Sequence, residues 1–464
     1  MASNSPKQII LLLDGTWNDA DEGPCDTNIV RLRELINRSL TKTLVDQSPA
    51  SFSGSRKFTD TKKRIVFYER GVGTGALWDQ FAGGAFGAGL GENVRRAYRF
   101  LSWYYEKGDE IFIFGFSRGA YTARSLVGII GSVGLLQRDS CDAAREAAVW
   151  NFYRTPVNDR LPAPFDELTA RVHDRTEFRI KCLGVFDTVG ALGVPLPVFR
   201  RKNRDIYGFH NVEIGSIVEC NLHAVAIDEH REPFEATLWQ QPKFQAFSSA
   251  MSVEQVWFVG AHADVGGGYV RESTRANRGA FLDDITLDWM LKRVLDRFPD
   301  FPVNMNEWHS IDRDACTSAR QHEPRKSLYF ARPFVYRTIC NQSETDAYCG
   351  RKFPYLLRNR IVGSDRHAEP IGQKIHISAL ARIGRKIELG WRKRIYAPRN
   401  LIDALSLIKE TYSSASRVRQ PLFIVDWDGK KISVDDPKVA DLVDPLLETA
   451  MCLRGKADRV KSKG

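Results

Sequence analysis

Residues Glu110 to Ala120 read Glu-Ile-Phe-Ile-Phe-Gly-Phe-Ser-Arg-Gly-Ala. An apolar run ends in Gly115-Phe116-Ser117-Arg118-Gly119, and a helix-forming stretch follows. The pattern predicts a strand, a sharp turn and a helix, with a serine at the apex. Gly115 and Gly119 flank the turn because a side chain at either place would clash with the returning backbone. Such a turn lifts Ser117 Oγ clear of the sheet, where a base can reach it. It also aims the Arg118 N–H at the place where an oxyanion would form. The chemistry this offers is nucleophilic attack on a carbonyl through an acyl-enzyme. Chance supplies G-x-S-x-G often enough in 464 residues that the flanking elements must carry the reading.

A serine nucleophile needs a base to take its proton and an acid to orient that base. The chain has nine histidines. His173, His210, His309, His322, His367 and His376 lie in polar or irregular segments, and His223 and His230 flank a stretch that reads as helical. His262 differs from these. Val256-Trp257-Phe258-Val259 runs into Gly260-Ala261-His262-Ala263-Asp264-Val265-Gly266-Gly267-Gly268-Tyr269. His262 thus stands at the carboxyl end of an expected strand, where open α/β sheets bind their ligands, and it is the candidate base. The acid should fall between these two residues, also after a strand. Ile180–Phe186 runs into Asp187-Thr188-Val189-Gly190, which makes Asp187 the candidate. Asp264 and Asp228 are its rivals, Asp264 being better suited to orienting the Gly266–Gly268 loop. A second oxyanion donor is expected after the first strand, at Asp14-Gly15-Thr16-Trp17-Asn18. There the N–H of Gly15 or Thr16 would serve, with Asp14 tying down the turn.

The elements that must hold these residues are visible in outline. Apolar β-type runs at Gln8–Leu13, Arg64–Tyr68, Glu110–Phe114, Phe178–Phe186 and Gln255–Val259 end at polar or glycine-rich loops. Helical periodicity is clear at 92–106, 118–131 and 285–298. Near-continuous apolar strands alternating with helices predict an α/β fold, a mostly parallel sheet flanked by helices. With the serine turn, this is an α/β-hydrolase fold, with insertions at 136–175 and 196–250 and a mixed C-terminal region. Residues 44–63 read as a polar surface loop. The glycine-rich stretch 71–91 has neither a P-loop ending nor a dinucleotide fingerprint, and reads as close-packed or mobile backbone near the site mouth. Beyond about 300 the periodicity weakens, although Phe423–Val434 resembles a hairpin around Asp428-Gly429. The expected division is a catalytic domain over 1–300 and a basic C-terminal region over 301–464.

Composition narrows the class. Apolar residues are 43% and charged residues 27% of the chain, as in ordinary globular proteins. No signal peptide and no apolar stretch long enough to span a membrane is visible, so a cytoplasmic protein is expected, export by a leaderless system remaining open. Eight cysteines without C-x-x-C spacing read as reduced thiols, with no zinc site. The net charge of +10 is concentrated in 351–400, which holds 13 Lys/Arg against 3 Asp/Glu. That segment reads either as a solvated surface or as a face that meets anionic lipid headgroups, with Phe353, Tyr355, Trp391 and Tyr396 interleaved. Nucleic acid is not expected as a partner, and the oligomeric state is not legible.

Several of these stretches together resemble a known family. They are Leu11–Asn18, Gly71-Val72-Gly73-Thr74-Gly75, Gly115–Arg124 and Gly184–Gly190. His223-Ala224-Val225-Ala226-Ile227-Asp228-Glu229 and Gly260–Tyr269 follow in the family's order. Over roughly 8–300 the chain resembles the catalytic domain of the type VI secretion phospholipase effectors and of the bacterial and fungal proteins sharing that domain. The resemblance implies an α/β-hydrolase fold and a Ser-Asp-His triad, falling here on Ser117, Asp187 and His262, with acyl esters of phospholipids as the substrate class. No metal or cofactor is required. Hydrolysis of a small soluble ester or thioester, and a non-catalytic binding module on the same fold, are the alternatives.

Overall fold

A computed structural model describes residues 6–15, 26–39, 56–59, 64–71, 85–156, 159–176, 178–189, 217–231, 234–240, 251–271, 280–308, 311–324, 335–339, 370–390, 392–413, 421–437, 439 and 443–448. The chain forms two compact units. The first comprises Met1–His223, Trp239–Val253 and Pro302–Trp308; the second comprises Ala224–Leu238, Glu254–Phe301 and His309–Gly464.

In the first unit the elements run β1 (Gln8–Leu13), α1 (Asn28–Ser39), β2 (Arg56–Thr59), β3 (Arg64–Glu69), α2 (Ala85–Tyr104), β4 (Glu110–Phe116), α3 (Arg118–Ser132), α4 (Ala143–Arg154), α5 (Pro162–Thr169) and β5 (Ile180–Phe186), followed by the start of β6 (Val218–Ala226). The fold is α/β, with a mostly parallel sheet flanked by helices. β1 lies between β3 and β4, parallel to both, and β5 is parallel to β4. All six residues of β1 are buried, as are Ile111–Phe116 of β4. This is why both strands read as unbroken apolar runs, since helices cover parallel strands on both faces. The register aligns Leu13 with Gly115, and Gly115 with Val185. The carboxyl ends of β1, β4 and β5 therefore lie level, and Asp14, Ser117 and Asp187 each follow directly.

Three sequence expectations change here. The supposed surface loop 44–63 contains β2, which pairs antiparallel with β3. The glycine-rich stretch is helical from Ala85 onward, so Gly87, Gly89 and Gly91 belong to α2, while 72–84 lies outside the described residues. Gly91 is where Trp150 of α4 packs: a Cβ there would come 2.9 Å from Trp150. The interruption at 196–250 hides β6, with His223 inside a strand and not beside a helix.

The second unit contains β7 (Ser252–Phe258, from Glu254), α6 (His262–Gly266), α7 (Leu282–Arg297), α8 (Arg313–Ser318), β8 (Gln373–His376), α9 (Ile377–Arg382), β9 (Lys386–Leu389), β10 (Arg392–Ile395), α10 (Arg399–Tyr412) and β11 (Phe423–Val425). β7 and β8 are parallel, and so are β8 and β11. β9 and β10 form a separate antiparallel ribbon. The expected turn after Phe423 is present: Val425 bridges Lys431, and Gly429 takes φ 74°. His376 is buried at the end of β8, in place of the irregular setting expected for it. It stacks on Phe258 with centroids 4.8 Å apart, and its Nδ1 accepts the Ser378 N–H that opens α9.

Among the described residues of the basic segment, not every cation faces solvent. Arg382 is buried and donates to the Thr317 and Ala319 carbonyls, and Lys374 pairs with Glu254. Tyr396 is buried as well, which removes it from any set of interfacial aromatics. Arg392, Lys393 and Arg394 remain exposed on β10. Phe353, Tyr355 and Trp391 lie outside the described residues. Among the described residues no helix is long and apolar enough to cross a membrane.

Candidate active site

In the first unit, β4 delivers its chain into a tight turn. Ser117 takes φ 56° and ψ −119°, a region that residues with a Cβ rarely occupy, and α3 begins at the next residue. The two glycines are needed for contact. A Cβ on Gly115 would lie 2.6 Å from the Gly119 carbonyl oxygen, and one on Gly119 would lie 2.1 Å from that of Leu13. The elbow is thus wedged between its own helix and the end of β1. The Ser117 N–H donates to the Phe186 carbonyl across 3.1 Å, tying the apex to the residue before Asp187. Arg118, at the first position of α3, lies outside the intrahelical hydrogen-bond ladder at its N–H. Burial pushes its guanidinium down to about 9.

Asp187 is fully buried and, like Ser117, takes a positive φ, here 38°. Its successor is held by a contact that the sequence did not disclose. The Thr188 N–H donates to His223 Nε2 over 3.1 Å, so that nitrogen carries no proton. The edge of the His223 ring meets Trp239, whose face also covers the Arg124 guanidinium of α3 at 5.2 Å. His223 therefore holds the loop that follows β5.

Asp14 ties down its turn as expected. Its carboxylate accepts the Gly15 N–H at 2.7 Å, the Thr27 hydroxyl and the Tyr68 hydroxyl at 3.0 Å. Burial, partly offset by these bonds, pushes its pKa up to about 7. Gly15 approaches Ser117 closely: a Cβ there would lie 3.3 Å from Ser117 Cβ. Yet its N–H points at Asp14, so it would have to leave that carboxylate to serve an oxyanion. Thr16 lies outside the described residues.

In the second unit, β7 ends at Phe258 and His262 opens α6, buried at 5% exposure. The Phe234 ring meets the imidazole edge-on at 5.1 Å. The Arg231 guanidinium stacks on Phe234 at 3.5 Å and forks onto Glu229, whose carboxylate also accepts the His262 N–H at 3.3 Å. Burial alone would raise Glu229, but Arg231, Arg337 and His262 outweigh it and hold the carboxyl below its ordinary range. Both rival acids have other duties. Asp228 accepts the Gly260 N–H and the Tyr396 hydroxyl, and burial pushes it up to about 7. Asp264 accepts the Ala261 N–H and is gripped by His322. Glu229 and His322 carried no local signal for these roles, because the His262 N–H and Asp264 that they hold lie 33 and 58 residues away.

A strand, a strained serine apex and a covering helix on a mostly parallel sheet define the α/β-hydrolase class of fold. Residues 7–293 match the family model described as T6SS, phospholipase effector Tle1-like, catalytic domain, and the chain belongs to that family. A protein of Saccharomyces cerevisiae, the uncharacterised YEL023C, is 29% identical over 258 residues, which are 50% of this chain and 33% of that one. Two solved structures are similar. One is an uncharacterised protein from Pseudomonas aeruginosa, with TM-score 0.36 and 17% identity, covering 67% of this chain and 48% of that one. The other is the Tle1 effector bound to the VgrG spike of the type 6 secretion system, with TM-score 0.30 and 18% identity, covering 58% and 52%. The chain thus spans a third of the yeast relative and about half of each solved structure.

Proposed function

We propose that this protein is a serine esterase of the lipase type that cleaves acyl esters of phospholipids. Ser117 Oγ attacks the ester carbonyl as His262 takes its proton. Asp187 accepts the other imidazole N–H and holds the productive tautomer. The Arg118 N–H and a second donor from the loop after β1 stabilise the oxyanion. His262 then protonates the leaving alkoxide, and water activated by the same imidazole releases the fatty acid. Membership of a phospholipase-effector family supports the substrate class.

The observation that carries this reading is the conformation of Ser117, held at positive φ between two glycines that tolerate no side chain. Strain of this kind, on the order of 1–3 kcal/mol, persists where the surrounding fold over-determines it and clusters at active sites. The test is Ser117→Ala, assayed on phospholipid vesicles and on a short-chain soluble ester, together with labelling by a fluorophosphonate. Loss of roughly 10³-fold or more on both substrates, with loss of labelling, is expected. Activity within tenfold of the parent would remove Ser117 as the nucleophile. A parent enzyme active only on the soluble ester would move the substrate class to small esters.

A further inference from the structure

Three consecutive amides lead into the candidate base, and each is held by a different buried carboxylate. The Gly260 N–H donates to Asp228 Oδ2 at 2.8 Å, the Ala261 N–H to Asp264 Oδ2 at 3.0 Å, and the His262 N–H to Glu229 Oε2 at 3.3 Å. Asp228, Asp264 and Glu229 are each no more than 3% exposed. A buried carboxylate is costly unless it is paired and hydrogen-bonded, so each needs a further donor.

Two of those donors come from far along the chain. The Tyr396 hydroxyl donates to Asp228 Oδ2 at 2.9 Å. His322 grips Asp264 twice, through Nδ1 on Oδ1 at 2.6 Å and through its backbone N–H on Oδ2 at 3.1 Å. Its ring stacks on Tyr269 with centroids 3.8 Å apart. These donors are themselves fixed. The buried Arg382 lies over the Tyr396 ring at 5.2 Å and donates to the carbonyls of Thr317 and Ala319, just before His322. Gln321 is bonded on both sides, its N–H to Glu388 of β9 and its carbonyl to the N–H of Gly390 just after that strand. The turn has no slack: Gly260 has φ 108°, and a Cβ there would lie 2.4 Å from Asp264 Cβ.

We propose that the segment beyond residue 300 positions His262, with Tyr396 acting through Asp228 and His322 acting through Asp264 on the amides that precede the imidazole. The proposal rests on His262 being the base. It gives the C-terminal region a task at the site that does not involve a membrane. Tyr396 and His322 are positioning residues and touch no reacting atom. A displacement of the base by even 1 Å can slow turnover on the order of 10²-fold.

The test compares Tyr396→Phe, His322→Ala and His322→Asn in the full chain. The asparagine can donate to Asp264 from a position close to that of His Nδ1. Three quantities are read: kcat and KM on a short-chain soluble ester, the fluorophosphonate labelling rate, and hydrogen exchange of the peptide spanning 259–265. Tyr396→Phe and His322→Ala should lower kcat and the labelling rate at least tenfold with KM within twofold, and should speed exchange of that peptide. His322→Asn should recover most of both. Unchanged kcat with unchanged exchange would overturn the proposal, as would faster exchange throughout the protein without rescue by asparagine. His262→Ala separates the two readings. If it stays active, the base assignment falls, while exchange still reports whether the distant donors hold the loop.

Discussion

Asp187 combines burial with a left-handed backbone, and that limits what can replace it. Asparagine is among the few residues that tolerate positive φ, so Asp187→Asn should keep the fold. It should nevertheless cut turnover by about 10⁴-fold, because an amide can donate to the imidazole and trap the wrong tautomer. Steady-state kinetics alongside a thermal melt would check this: a slow enzyme with an unchanged midpoint is expected. Asp187→Ala should cost stability too, since alanine resists φ 38°. At this scale the positions of Ser117, Asp187 and His262 after the ends of strands were legible, because apolar runs stop just before them. It was silent on His223, whose partner Thr188 is 35 residues away, and on Tyr396, 168 residues from Asp228. No local pattern encodes a contact over such separations.

Helix α3 offers a paired test of why its glycines are there. A Cβ on Gly119 would strike the backbone of Leu13 and Asp14, whereas one on Gly131 would meet nothing within 4 Å. Gly119→Ala should push the helix off the end of β1, losing activity and several degrees of thermal stability. Gly131→Ala should stabilise by about 0.5–1 kcal/mol, the usual gain in a helix, with activity unchanged. Thermal melts and ester turnover of the two variants decide it. The β9–β10 ribbon carries a second prediction. Arg392, Lys393 and Arg394 are exposed, and Ile395 is 53% exposed beside them. If this ribbon meets anionic lipid, replacing the three cations with Gln should weaken sedimentation with anionic vesicles, while neutral vesicles bind neither form. Each cation near such a surface is worth roughly 1 kcal/mol. Turnover of a soluble ester should be spared, and unchanged vesicle binding would leave the ribbon as a solvated surface. Elements were legible where burial on both faces made strands uniformly apolar, as in β1, β4 and β5. β6 escaped because Glu219, Asn221 and His223 interrupt its apolar side chains. β8 is too short, at 4 residues, to show a period, and β11, at 3, was reached only through the turn at Asp428-Gly429 that follows it.

For the molecule as a whole, buried titratable groups pull stability in opposite directions. Asp14 and Asp228 are each pushed up to about 7, first by burial. The folded chain binds those protons more tightly than the unfolded chain does. Their contribution is therefore full below about pH 4 and fades as pH rises towards 7. His376 runs the other way. Burial first, then Lys292 and Arg313, push it down to about 3, so its contribution is full above its ordinary value and is lost as pH falls. His376→Gln should therefore blunt the acid sensitivity. Between pH 7.5 and 5 the parent should lose about 2 kcal/mol more than the variant in urea denaturation. Equal losses would mean that the imidazole is charged without penalty.

The backbone of Ser117 has a consequence for how this protein could change over time. Glycine occupies φ 56° and ψ −119° without a Cβ penalty, so Ser117→Gly should melt at a higher temperature than the parent while hydrolysing nothing. Random mutation selected for solubility or yield alone would then drift towards an inert protein. An intact serine at this apex after long divergence would be a record of selection for chemistry, because folding by itself favours its loss.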